Sequence, residues 1–121
     1  MMGLAKIKIL KNKTPLVSDG YLAKSLMEKM KGLLGTHELK SDEALLIPDC
    51  KQVHTYFMKY TIDVVFLDSE FKVLKKQTLK PWKISPWILN AKAVLELPEG
   101  FADQKSIEVG DSLEVLQNDP A

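Results

Sequence analysis

Residues 53–68 read VHTYFMKYTIDVVFLD, the densest apolar run of a 121-residue chain. Its second half, IDVVFLD, is β-branched and aromatic, as a strand buried on its pleated surface requires. Asp68-Ser69-Glu70 closes it as a tight turn, and FKVLKKQTL at 71–79 alternates apolar and polar residues. The two segments read as a β-hairpin, although the turn lacks the glycine of the strongest hairpin signal. In an extended first half, His54, Tyr56 and Met58 share one face while Thr55, Phe57 and Lys59 share the other.

Working outward, AKIKIL at 5–10 alternates as a half-buried strand, and EALLI at 43–47 is a short apolar strand closed by Pro48-Asp49. Between them, Ser18 and Asp19 stand as N-caps before a helical stripe of Leu22, Leu26, Met27, Met30, Leu33 and Leu34. Gly32 and Gly35 mark its end. Downstream, Pro81 and Pro86 forbid a central strand across LKPWKISPWIL at 79–89, so Trp82 and Trp87 lie in irregular chain and cover something apolar or wall a pocket. Ala91 to Leu97 resumes as a strand, 101–109 hold a short helical turn, and Gly110-Asp111 turns into a last strand, SLEVLQ. The expected fold is mostly β: a compact antiparallel β-barrel or sandwich with one amphipathic helix packed against it. It is a single domain over 1–121, with a core from roughly 5 to 116 and a frayed tail at 117–121.

Composition removes several function classes. Seventeen basic against sixteen acidic side chains give a net charge of +1, which disfavours a nucleic-acid binder relying on a broad basic surface. One cysteine, Cys50, allows no internal disulfide and no cysteine-cluster metal site. The chain shows no secretory signal and no apolar run near the roughly 20 residues of a membrane span. The expectation is a soluble, cytoplasmic protein with no membrane partner. No phosphate-cradling loop, dinucleotide fingerprint or nucleophile elbow is present.

The polar residues inside the apolar run are the candidates for chemistry. His54 is either a satisfied histidine or a ligand-facing one able to change charge near neutral pH. Asp63, between Ile62 and Val64, needs donors or a cation if it is buried. Either it caps backbone amides near the bend at 59–61, or it points into a pocket with His54. A hairpin looping at 60–61 sets the two on one face, and a one-residue shift parts them. Glu96 lies on the opposite strand face from Leu95 and Leu97, which sends it to solvent, with a pocket carboxylate as the alternative. His54, Asp63 and Glu96 are suitable metal-ligand types but lack metal-site spacing, so neither metal nor cofactor is expected. A Cys50–His54 pair fails on reach, since four extended residues span about 13 Å.

Taken in order, KGLLG, LLIPDC, HTYFMKYTIDVVFLD, the KPW segment, AVLELPEG and the VGD turn resemble the bacterial and archaeal domain of unknown function 192 family over roughly residues 5–116. The resemblance implies a compact mostly-β domain with one helix, and it implies no activity, cofactor or catalytic residue. The leading functional expectation is a non-enzymatic binding module with an aromatic-walled pocket near His54 and Asp63. Its ligand-binding set is His54, Thr55, Tyr56, Phe57, Met58, Asp63, Trp82 and Glu96, with Trp87 in the wall, and its ligand is a small molecule or a protein. The alternatives are a protein–protein adaptor using the Trp82/Trp87 segment and a hydrolase using His54 and Asp63 as its acid–base pair.

Overall fold

The computed structural model describes residues 4–23 and 39–117. Eight strands form one sheet: β1 (Ala5–Lys11), β2 (Thr14–Pro15), β3 (Asp19–Leu22), β4 (Glu43–Pro48), β5 (Ile62–Leu67), β6 (Val73–Leu79), β7 (Ala93–Pro98) and β8 (Leu113–Gln117). The spatial order is β2-β1-β3-β4-β7-β5-β6, and β8 pairs with β1. Ile7 is held by Gly20 on one side and Gln117 on the other. A bridge between Lys72 and Ser112 brings the start of β6 to the start of β8, so the sheet curls into a half-barrel. The pairs are antiparallel except β3 with β4, which is parallel.

That parallel pair corrects one expectation. Ser18 and Asp19 do not cap a helix. Ser18 Oγ donates to Asp42 Oδ2 at 2.8 Å, and Asp19 opens β3 in register with Glu43. Parallel neighbours need a long crossover, and the remainder of the helical stripe falls in it, at 24–38, outside the described residues. The helix within the described residues is α1 (Phe101–Gln104), where a short helical turn was expected. Among the described residues no helix is long and apolar enough to cross a membrane.

The central strands are buried on both faces, which is why their sequences run nearly unbroken in apolar residues instead of alternating. On one face Ile7, Ile9, Leu46, Val65, Leu67, Leu95 and Leu97 pack with Phe101, Ala102 and Ile107 around α1. On the other, Tyr21, Leu45, Ile47, Ile62, Val64, Phe66 and Val94 pack under Val53, Met58 and Ala91. The β5–β6 hairpin forms as expected. Its glycine-free turn works because Asp68 Oδ1 accepts the amides of Glu70 and Lys72 (2.8 and 2.9 Å), while Phe71 takes the left-handed φ of 61°.

Gly20 is fixed by proximity. A Cβ built there stands 2.8 Å from the carbonyl oxygen of Ile7, a backbone atom that cannot rotate away. Gly20→Ala is therefore expected to destabilise the protein by about 1–3 kcal/mol, the usual range for forced overpacking. Urea unfolding at unchanged m-value is the measurement that checks it.

Candidate functional site

Two irregular segments, 51–59 and 80–92, lie side by side as a ribbon over the sheet face that bears Leu45, Val64 and Phe66. Pro81 and Pro86 have no amide to donate, so a regular ladder cannot form there. The pairing is built piecemeal instead. The amide of Ile88 donates to the Lys51 carbonyl (2.9 Å), Ser85 N donates to the Val53 carbonyl (2.9 Å), and Val53 N donates to Ser85 Oγ (3.0 Å). His54 and Ile84 form an isolated bridge, and Lys51 Nζ ties the far end through the carbonyls of Leu89 and Ala91.

Thr55 is the clamp of this ribbon. Its amide donates to the Lys83 carbonyl (2.8 Å), and its own carbonyl accepts from Trp82 N (3.0 Å) and Met58 N (3.1 Å). Its hydroxyl donates to the Lys80 carbonyl and accepts from Lys83 N at 2.9 Å. With 0% exposure, Thr55 cannot meet a ligand, and it acts by fixing the loop that bears Trp82.

Above this clamp four rings gather. His54 stacks on Tyr56 with centroids 4.7 Å apart, Tyr56 lies 6.2 Å from Trp82, and Phe57 meets Trp82 edge-on at 4.7 Å. His54 Nδ1 accepts weakly from Tyr56 N at 3.3 Å. Phe57 and Trp82 hold left-handed backbone, φ 67° and 63°, a conformation that costs a non-glycine residue roughly 1 kcal/mol or more. Both are exposed, 66% and 58%, so these rings form an open surface. Among the described residues, hollows of about 310 and 380 Å³ lie away from the rings. The first is beside Leu46, Phe71 and Val115, and the second beside Tyr60, Pro98 and Glu99.

The first half of the apolar run is therefore not a strand. His54 and Tyr56 do share a face, but the turn at Phe57 sends Met58 into the core. Asp63 does not meet His54. It lies in β5, where Oδ1 accepts from Thr78 Oγ1 (2.8 Å) and Oδ2 from Ala102 N (3.0 Å). It is a cap, as one reading held, but of α1 and not of the bend at 59–61. Glu96 is not at the surface. Leu45 and Val64 flank it across the sheet, it is 3% exposed, and Oε2 has no partner among the described residues. Burial pushes its carboxyl up to about 8. The Cys50 thiol donates to the Gln52 carbonyl at 3.2 Å. Trp87 is exposed further along the ribbon, and so are Ile84 and Leu89, which sequence reasoning did not single out. The signal for them was the pair of prolines: chain that cannot enter a ladder stays at the surface together with its apolar side chains.

The DUF192 family model, described as an uncharacterized ACR, matches residues 8–115. The chain belongs to this family. A UPF0127 protein of Pyrococcus abyssi is 45% identical over 62 residues, which are 51% of this chain and 53% of that one. The chain thus spans about half the length of this and two further curated Pyrococcus relatives. A Novosphingobium aromaticivorans protein of unknown function, solved by crystallography, superposes with a TM-score of 0.73 at 22% identity, covering 92% of this chain and 84% of that one. A Sinorhizobium meliloti structure gives the same TM-score at 17% identity, covering 92% of each chain. At such identities the structural likeness speaks for the fold.

The two buried carboxyls give opposite predictions. Asp63→Ala strands the buried Ala102 amide and is expected to cost about 1–3 kcal/mol in denaturant unfolding. For Glu96 the folded chain holds the proton more tightly than the unfolded one, whose carboxyl titrates at its ordinary value of 4.5. Its contribution to stability is therefore complete below pH 4.5 and is lost as pH rises through about 8. Glu96→Gln is expected to flatten the fall across that window and to be more stable than the wild type above it, as read by unfolding at a series of pH values.

Proposed function

We propose that this protein is a non-enzymatic binding module whose recognition surface is the ring cluster of His54, Tyr56, Phe57 and Trp82. The observation that carries this reading is the exposure of Phe57 and Trp82 on strained left-handed backbone, locked from beneath by Thr55. A chain does not need strained, water-facing rings in order to fold, and rings held rigid lose little freedom when a ligand arrives. Aromatic faces take a ligand by stacking, while the imidazole and phenol supply polar contacts at its edge. The hydrolase alternative fares worse, because an acid–base pair must lie within hydrogen-bond reach. Asp63 has both oxygens engaged by Thr78 and Ala102 instead.

Tryptophan emission titrated with a panel of aromatic metabolites and oligosaccharides tests the proposal. A responding ligand is expected to bind Trp82→Ala roughly tenfold more weakly or worse, as for a central interface residue. The same substitution removes the edge-on contact with Phe57 and is expected to cost no more than about 1.5 kcal/mol of unfolding stability. Undiminished binding by Trp82→Ala would remove the ring cluster from consideration.

A further inference from the structure

The ribbon bears much more than the four rings. Of the eight large hydrophobic side chains exposed among the described residues, six lie on it: Tyr56, Phe57, Trp82, Ile84, Trp87 and Leu89. Its charge is equally one-sided. Residues 51–59 and 80–92 contain five lysines and no acidic residue, while the rest of the chain has twelve basic against sixteen acidic side chains. Lys51 is tied down inside the ribbon. Lys59, Lys80 and Lys83 are exposed, and their side chains enter no ion pair among the described residues.

We propose that this ribbon docks the protein on an anionic lipid surface, an assignment of partner class that rests on the ribbon being a binding surface. Charge complementarity is the first argument. A cationic ribbon on an otherwise net-negative chain turns toward a negative plane and keeps the remainder away from it. Side-chain chemistry is the second. Tryptophan and tyrosine favour the headgroup level, where one end of the ring is apolar and the other wet. Lysine stems lie along apolar surface while the ammonium reaches the phosphates. Ile84 and Leu89, 53% and 73% exposed, have no hydrogen-bonding group for a phosphate and no ring to stack on a nucleobase, but they gain by leaving water for the acyl boundary. Those two aliphatic side chains are what favour lipid over a single-stranded nucleic acid, for which rings and lysines alone would suffice. Among the described residues no helix is long and apolar enough to span a bilayer, and the proposal needs none: the ribbon lies on the surface.

Co-sedimentation of the full chain with large vesicles, with tryptophan emission read in parallel, tests this. Vesicles of phosphatidylcholine containing phosphatidylglycerol are expected to pellet the protein and shift its emission to the blue, and pure phosphatidylcholine is expected to do neither. Added salt should release the bound fraction. A Lys80→Glu, Lys83→Glu double variant, checked for an unchanged unfolding curve, should bind those vesicles on the order of tenfold more weakly or worse. Leu89→Ser should weaken binding without altering the salt dependence. Binding that ignores phosphatidylglycerol content, or that survives charge reversal, overturns the proposal. A response to a single-stranded oligonucleotide or a small-molecule ligand, with none to vesicles, overturns the lipid assignment and leaves the ribbon as a binding surface. Silence toward all of them sinks both.

Discussion

One buried threonine governs the surface of this molecule. Five hydrogen bonds meet at Thr55, and each joins it to Lys80, Trp82 or Lys83 of the opposing segment or to Met58 of its own. None of the groups is reachable by water at the threonine end, so breaking any bond leaves a buried donor or acceptor unpaid, a far larger loss than the modest net gain of making it. This asymmetry lets two proline-broken segments, neither able to form a ladder, hold a single geometry. It also explains how Phe57 and Trp82 remain in left-handed backbone. Their strain is small beside the cost of undoing the clamp.

The same accounting separates the two buried carboxyls. Asp63 and Glu96 lie on neighbouring strands, one residue out of register, and therefore on opposite faces of the sheet. On its face Asp63 finds the Ala102 amide and the Thr78 hydroxyl, so its oxygens are satisfied and α1 is fastened to the sheet. On the other face Glu96 finds Leu45 and Val64, which have nothing to donate. Without a partner, the cheaper course is to keep the proton, and the raised titration follows. Two acidic residues in similar apolar sequence thus become a structural cap and a neutral acid, and only the third dimension distinguishes them.

That distinction marks how far the sequence can be read. The hairpin at β5–β6 and the strands β1, β4, β7 and β8 were legible because period, β-branched composition and turn residues are local properties. Strand β3 was not. Ser18 and Asp19 are as good in an N-cap as in a strand entrance, and what decides is pairing with Ile7 and with Glu43, distant in sequence. Glu96 was assigned to water because alternation implies a wet face, an inference that fails in a sheet covered on both sides. The neighbouring run of IDVVFL, without alternation, was the available warning. For the site, the ring-bearing residues were identified, but their arrangement was not. A left-handed phenylalanine or tryptophan leaves no trace in composition, and the role of Thr55 depends on partners 25 to 28 residues away.

Why the rings lie outside follows from where the core already is. Among the described residues, the two faces of the sheet are covered by side chains of β1, β3 to β8, α1 and the inward residues of the ribbon, Val53, Met58 and Ala91. Stability thus draws on one side of the ribbon and leaves the other free. A surface that contributes nothing to folding drifts toward polar residues unless something else holds it, since exposed aromatic and aliphatic clusters invite aggregation. Here the outward positions carry Tyr56, Phe57, Trp82, Ile84, Trp87 and Leu89, framed by lysines with no acid among them. The ammonium groups oppose self-association of that patch while leaving it open to a negatively charged partner. An apolar surface that repels its own copies but not an anionic one fits recognition better than it fits folding.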